Sequence, residues 1–195
     1  MPRHRNKTFS RLAARRARQK ASLILIFFGV ICFGVIFSLR AYQEARQKIL
    51  SFSEVPKLAE EAPEELFPTQ ILIPKVRINL SVFPSKASGV SWEISEKGAS
   101  YLLGSGIPGR IGNVIIYGHN KRNLFGPIRW LKQQDEIKVV NKKGEEFIYK
   151  IRETKIVSPN EVSVLAPTEE PTLTLYTCTG FMDSQRFVVI AKPSS

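Results

Sequence analysis

Cysteine, histidine, methionine and tryptophan are scarce in this chain, with two of each in 195 residues. Each shortage excludes something. Cys32 sits inside an apolar run and Cys178 lies far from it, so the chain has no disulfide framework, and no C-x-x-C or paired Cys/His spacing offers a structural zinc site. Charge is missing in two places. Residues 1–20 carry eight Lys and Arg but no acid, and residues 21–39 carry no charge at all. From residue 41 onward 20 basic and 17 acidic residues leave a net charge of +3, so the overall +12 belongs to a basic head. A nucleic-acid-binding face on the folded part is therefore not expected. Gly104, Gly106 and Gly109 are followed by no Gly-Lys-Ser/Thr and no helix, which excludes a phosphate-binding loop. No internal repeat or low-complexity tract is present.

What is there divides the chain into four parts. Residues 1–20 are a basic segment. Residues 21–39 are apolar all round, and at about 1.5 Å per residue they just cover a hydrocarbon core of about 30 Å. A cleavable signal peptide usually has a shorter apolar region and a small-residue cleavage site. Here Arg40 follows directly, which favours an uncleaved anchor. The positive-inside rule then places residues 1–20 in the cytoplasm and the remainder outside. Residues 40–68 hold Pro56, Pro63 and Pro68 among Glu60, Glu61, Glu64 and Glu65, the composition of a solvated spacer.

From residue 69 to 195 the pattern is one of short strands. Strands are expected at Ile71–Val76, Ile78–Phe83, Val114–Tyr117, Glu136–Val140, Glu145–Val157, Thr172–Cys178 and Arg186–Ile190, with Pro74 at an edge or bulge. Residues 84–112 read as loop, 124–133 as a turn or short helix, and 141–144 as a tight hairpin with Gly144 supplying positive φ. Residues 158–171 form a long loop of the kind that often carries function. Seven or eight strands with little helix argue for an all-β domain, closed or nearly closed into a barrel.

Three side chains stand where such strands end or begin. Thr172 to Cys178 alternates Thr with apolar residues, as a half-buried strand does, and ends on a thiol. Arg186 opens the next apolar strand, and His119 follows the strand Val114–Tyr117. A thiolate is the nucleophile in acyl transfer, a histidine can take or return its proton, and a guanidinium can stabilise the oxyanion of the tetrahedral state. Each residue also has a plainer reading: a small buried apolar residue, a hydrogen-bonded structural histidine, a solvated strand-end charge. Spacing alone leaves both readings open.

The motif Thr174-Leu175-Tyr176-Thr177-Cys178 resembles the T-L-x-T-C signature of sortases, membrane-anchored cysteine transpeptidases of bacterial surfaces. Gly118-His119 resembles that family's histidine motif, and Arg186-Phe187-Val188-Val189 its arginine strand. Ile73-Pro74-Lys75-Val76, Gly126-Pro127-Ile128-Arg129-Trp130-Leu131 and Val164-Leu165-Ala166-Pro167-Thr168 are similar as well. The resemblance covers residues 69–195. It implies an eight-stranded β-barrel behind one N-terminal transmembrane helix. It also implies Cys178 as nucleophile, His119 as general acid/base and Arg186 as stabiliser of oxyanion or substrate, with Thr177 shaping the site. No cofactor or metal is implied, and no calcium ligands can be matched. The acyl donor would be a protein with an LPxTG-like sorting motif and the acceptor an amine on a cell-wall precursor or pilin. The short Cys178–Arg186 connection looks like the compact class D or E enzymes. The segment 40–68 shows nothing like the lid of pilin polymerases. Two other readings stay open: a Cys–His hydrolase that releases to water, and a catalytically silent barrel that binds surface peptides or glycans.

Overall fold

The computed structural model describes residues 20, 23–41, 52, 62–88 and 91–194. It separates into two units, residues 1–44 and 45–195. In the first, Leu23–Ala41 is a helix of 19 residues, long and apolar enough to cross a membrane, with side chains such as Leu25, Phe27 and Phe33 exposed on all sides.

The second unit is a barrel. Its strands are β1 (Pro68–Ile73), β2 (Ile78–Ser85), β3 (Ala87–Ser88), β4 (Ser91–Trp92), β5 (Ala99–Leu102), β6 (Gly112–Tyr117), β7 (Glu136–Asn141), β8 (Glu146–Val157), β9 (Pro171–Thr179) and β10 (Gln185–Pro193). Eight of them close in the order β1-β2-β5-β6-β9-β10-β8-β7, while β3 and β4 form a separate small hairpin. Two neighbouring pairs, β2 with β5 and β6 with β9, are parallel, and the others are antiparallel. The expected eight-stranded all-β barrel is thus the fold.

Alternation assigns the faces. Ile71, Ile73, Val114, Ile116, Leu173, Leu175, Val189 and Ala191 pack together inside the barrel. The odd-even partners on the same strands, Ile115, Tyr117, Tyr176, Cys178 and Val188, lie in a second apolar cluster on the outer face. Strand β9 is therefore buried on both faces rather than on one. Its most buried threonines tolerate this because their hydroxyls are bonded: Thr174 Oγ1 donates to Asn113 Oδ1 at 2.7 Å, and Thr177 Oγ1 donates to the Gly118 carbonyl at 2.7 Å.

Three local expectations change. The first strand stops at Ile73, because Pro74 opens a 3-10 turn, Pro74–Val76, that ends on Arg77 in the left-handed region (φ 56°). Residues 84–112 are not all loop: they contain the β3–β4 hairpin and β5, whose four residues are all buried and so show no alternation. The segment 40–68 includes Phe52, which is buried instead of solvated. The hairpin 141–144 forms as expected, with Gly144 at φ 82°.

Candidate active site

Strands β6, β9 and β10 lie side by side, and their register decides what meets. Tyr117 pairs with Tyr176 on parallel β6 and β9, and the Gly118 N–H donates to the Tyr176 carbonyl at 3.3 Å. Two residues further along each strand come His119 and Cys178. On the other side of β9, Cys178 and Arg186 are direct antiparallel partners. Because side chains alternate with period two, Tyr176 and Cys178 share the outer face of the sheet with Tyr117, and Val188 lies on the same face of β10, two residues from Arg186. The three residues singled out in the sequence therefore come together at one end of three adjacent strands, on the outer face and not over the barrel mouth. All three are buried: His119 is 2%, Cys178 3% and Arg186 5% exposed.

The backbone around His119 is tightly held. The Lys121 and Phe125 N–H groups both donate to the His119 carbonyl, at 2.7 and 3.1 Å. A Cβ on Gly118 would stand 2.9 Å from the Phe125 ring, so only glycine lets that ring pack under the turn. Thr177 Oγ1 donates to the Gly118 carbonyl from the neighbouring strand and so fixes the backbone just before His119. Between Cys178 and Arg186 the chain turns through Gly180 (φ 80°), Met182 (φ 51°) and Asp183 (φ 58°). The Arg186 guanidinium donates Nη1 to the Asp183 and Gln185 carbonyls, at 2.8 and 3.0 Å, tying the turn to the strand.

An aromatic wall stands beside these groups. Tyr117 and Tyr176 stack with ring centroids 5.1 Å apart and planes 9° from parallel. Trp92 and Phe52 meet Tyr176 edge-on, and the Arg186 guanidinium lies 6.0 Å from the Phe52 ring centre. Burial pushes the phenol pKa values of Tyr117 and Tyr176 up, and the Tyr117 hydroxyl donates to the Glu93 carbonyl.

Glu96 is the contact that no spacing rule pointed to. Its Oε1 stands 3.0 Å from His119 Nε2, an ion-pair distance whose angle falls short of a hydrogen bond, and its Oε2 is 2.7 Å from Lys121 Nζ. The bond to Lys121 holds the Glu96 carboxyl below the usual range, with His119 adding to the effect. Burial lowers the His119 pKa, while the Glu96 charge opposes that and the Lys121 charge reinforces it. A single acid in a turn has no periodic signature, so only the fold could bring it here. Asn113 was also unmarked in the sequence. It is buried on β6, accepts from Thr174, and donates to the Val164 and Ala166 carbonyls at 3.2 and 3.1 Å, holding the loop 158–171 over the outer face. Under that loop, Asn113, Thr172, Thr174, Val164 and Lys192 line a cavity of about 260 Å³. Among the described residues no three His, Cys, Asp or Glu side chains cluster as metal ligands.

This arrangement has relatives. A model of the sortase domain matches residues 71–194. Sortase A of Listeria monocytogenes is 30% identical over 73% of this chain and 63% of its own length. The chain thus spans somewhat under two thirds of that relative. Sortase D of Bacillus subtilis is 29% identical over 71% of this chain and 68% of its own. The crystal structure of the Listeria enzyme superposes with a TM-score of 0.54 at 29% identity, covering 67% of this chain and 88% of that one. A Clostridium perfringens sortase D5 transpeptidase superposes at 0.56 and 29%, covering 65% and 78%. With the family match extending over most of the barrel and the barrel order closing as it does, this chain belongs to the sortase family.

Proposed function

We propose that the chain is a cysteine transpeptidase, with Cys178 as nucleophile, His119 as general acid/base and Arg186 as stabiliser of the oxyanion. The observation that carries this reading is the register: Cys178 and Arg186 are cross-strand partners, and His119 follows the strand paired with the other edge of β9. In the reaction, the Cys178 thiolate adds to the carbonyl of a sorting peptide, forming a C–S bond. The carbonyl π electrons move to oxygen, where the guanidinium meets the charge. The C–N bond breaks as imidazolium His119 gives its proton to the departing amine. An acceptor amine then adds to the thioester, loses its proton to His119, and expels the thiolate.

The donor is an LPxTG-like segment, and the outer face of β9 running from Cys178 past Tyr176 to Thr174 leads to the cavity under the loop 158–171 that would receive it. The acceptor is an amine of a cell-wall precursor or a pilin. Leu23–Ala41 would anchor the enzyme as a single pass, with the basic head inside and the barrel outside. The short turn between Cys178 and Arg186 supports a compact class D or E enzyme. The sortase A and D relatives match almost equally, at 30% and 29%.

The test uses the full-length protein in neutral detergent, a set of LPxTG-like peptides and a competing amine, read by intact-protein mass spectrometry. A peptide acyl group on Cys178 that discharges onto the amine is the expected result, and Cys178→Ala should form none. Discharge to water alone, with amine present, would convert the reading to a hydrolase. The burial of all three residues favours one other reading, a closed barrel that binds without turnover. Peptide binding without any adduct would establish it.

A further inference from the structure

Away from the catalytic residues, the 3-10 turn Pro74–Val76 packs beside a second one, Gly126–Trp130, and between them opens a cleft of about 420 Å³. Its lining is Lys75, Val76, Arg77, Arg122, Pro127 and Trp130. Three cations come from two separate segments, and no acid lines the cleft. Like several other surface cations of the barrel, Lys75, Arg77 and Arg122 have no carboxylate partner among the described residues. What sets these three apart is that they share one lining, so their charges add in one place with no counter-charge beside them.

Two more features mark the cleft. Arg77 holds φ 56° and ψ 36° as the left-handed cap of the turn Pro74–Val76, which fixes its backbone at the edge of the cleft. Trp130 is 64% exposed, while the other tryptophan, Trp92, is 1% exposed. The exposed indole shares the lining with the three cations, which gives the cleft an apolar plane beside its charges.

We propose that this cleft binds a phosphate-bearing ligand, with Arg77 and Arg122 taking the phosphate oxygens, Lys75 adding a point charge, and Trp130 offering its face to the rest of the molecule. Guanidinium is suited to this because its planar fork meets two oxygens of one phosphate at once. Arg122 lies in the same turn as His119, so an occupied cleft places phosphate beside the His119 loop without touching the catalytic residues. The site does not depend on the transpeptidase reading, and its test does not use activity.

The probes are inorganic pyrophosphate and glycerol 1-phosphate, titrated into the full-length protein in neutral detergent at moderate salt. Trp130 fluorescence reports binding, because the only other indole is buried. A saturable change is expected. In the double variant Arg77→Asn/Arg122→Gln it should weaken by roughly a hundred-fold or more, since each lost charged hydrogen bond is worth about ten-fold or more in favourable geometry. Asparagine tolerates the left-handed backbone at position 77, and equal melting temperatures check the fold. Lys138→Gln/Lys143→Gln removes the same charge from paired lysines and should leave binding unchanged. Tighter binding of pyrophosphate points to a diphosphate ligand, and tighter binding of glycerol phosphate to a phospholipid headgroup or phosphodiester polymer. No saturable change in the natural protein overturns the site. So does an equal loss in the lysine control, which would mean general counterion attraction.

Discussion

Glu96 Oε1 stands 3.0 Å from His119 Nε2, and Lys121 holds the other oxygen of the same carboxylate at 2.7 Å. A buried imidazole is thus linked to solvent through a half-exposed acid. The Glu96 charge favours the imidazolium, and Lys121 disfavours it. Glu96→Gln should therefore lower the His119 pKa further, and Lys121→Gln should raise it. NMR titration of the imidazole resonances in both variants measures this. Shifts of the same sign in the two would mean that the pair acts through structure and not charge.

The same imidazole sets an acid limit on stability. Burial lowers the folded-state pKa of His119 below its unfolded value of about 6.5. Below that pH the unfolded chain binds more protons than the folded one. The stabilisation present above about 6.5 is therefore lost as pH falls through the folded pKa. Glu96, whose carboxyl is also lowered, adds a second loss of the same sign beginning below the usual Glu pKa of about 4.3. Melting temperature should fall from about pH 7.5 to about pH 5.5, and His119→Asn should flatten that slope. An unchanged slope would assign the acid sensitivity to other groups.

Asn113 bonds three partners at once: the buried Thr174 hydroxyl and the carbonyls of half-buried Val164 and exposed Ala166. Asn113→Ala strands the Thr174 hydroxyl and leaves the two carbonyls to water, and should cost about 1–2 kcal/mol. Asn113→Asp keeps the shape but cannot donate to two carbonyls, and it buries a charge. Both variants should speed amide hydrogen exchange across residues 162–166, where the loop is held down. Unaltered exchange there would show that the loop is fixed by its apolar contacts, Leu165 above all.

Phe52 is 1% exposed, packs edge-on against Tyr176 at 5.1 Å, and lies beneath the Arg186 guanidinium. Phe52→Ala should cost about 3 kcal/mol through the cavity it leaves. It should also increase the rate at which a thiol reagent labels Cys178, which shares that apolar cluster. Loss of stability without faster labelling would mean that Phe52 supports the wall but does not cover the thiol.

Some of this was legible before any fold was known. The apolar run became the helix Leu23–Ala41, because length and absence of charge are local properties. The hairpin at Gly144 and the strands carrying Cys178 and Arg186 followed from turn chemistry and β-branched runs, and their antiparallel register follows from a short connection. The boundary at Pro74 was misplaced because proline can end a strand as readily as sit at its edge. Strand β5 was hidden because four buried residues in a row carry no period.

The sequence by itself determined the anchor-like helix and the all-β class, and it singled out Cys178, His119 and Arg186 as candidates, since each rests on residue type and short-range pattern. Only the tertiary structure decided that β6 and β9 run parallel with some fifty residues between them, and so that His119 lies beside Cys178. It also decided that Glu96 meets His119, that Phe52 meets Tyr176 and Arg186, and that Asn113 holds the loop 158–171 further along the sheet. Those contacts are set by the closure of the barrel, and closure pairs strands that no local preference can introduce to one another.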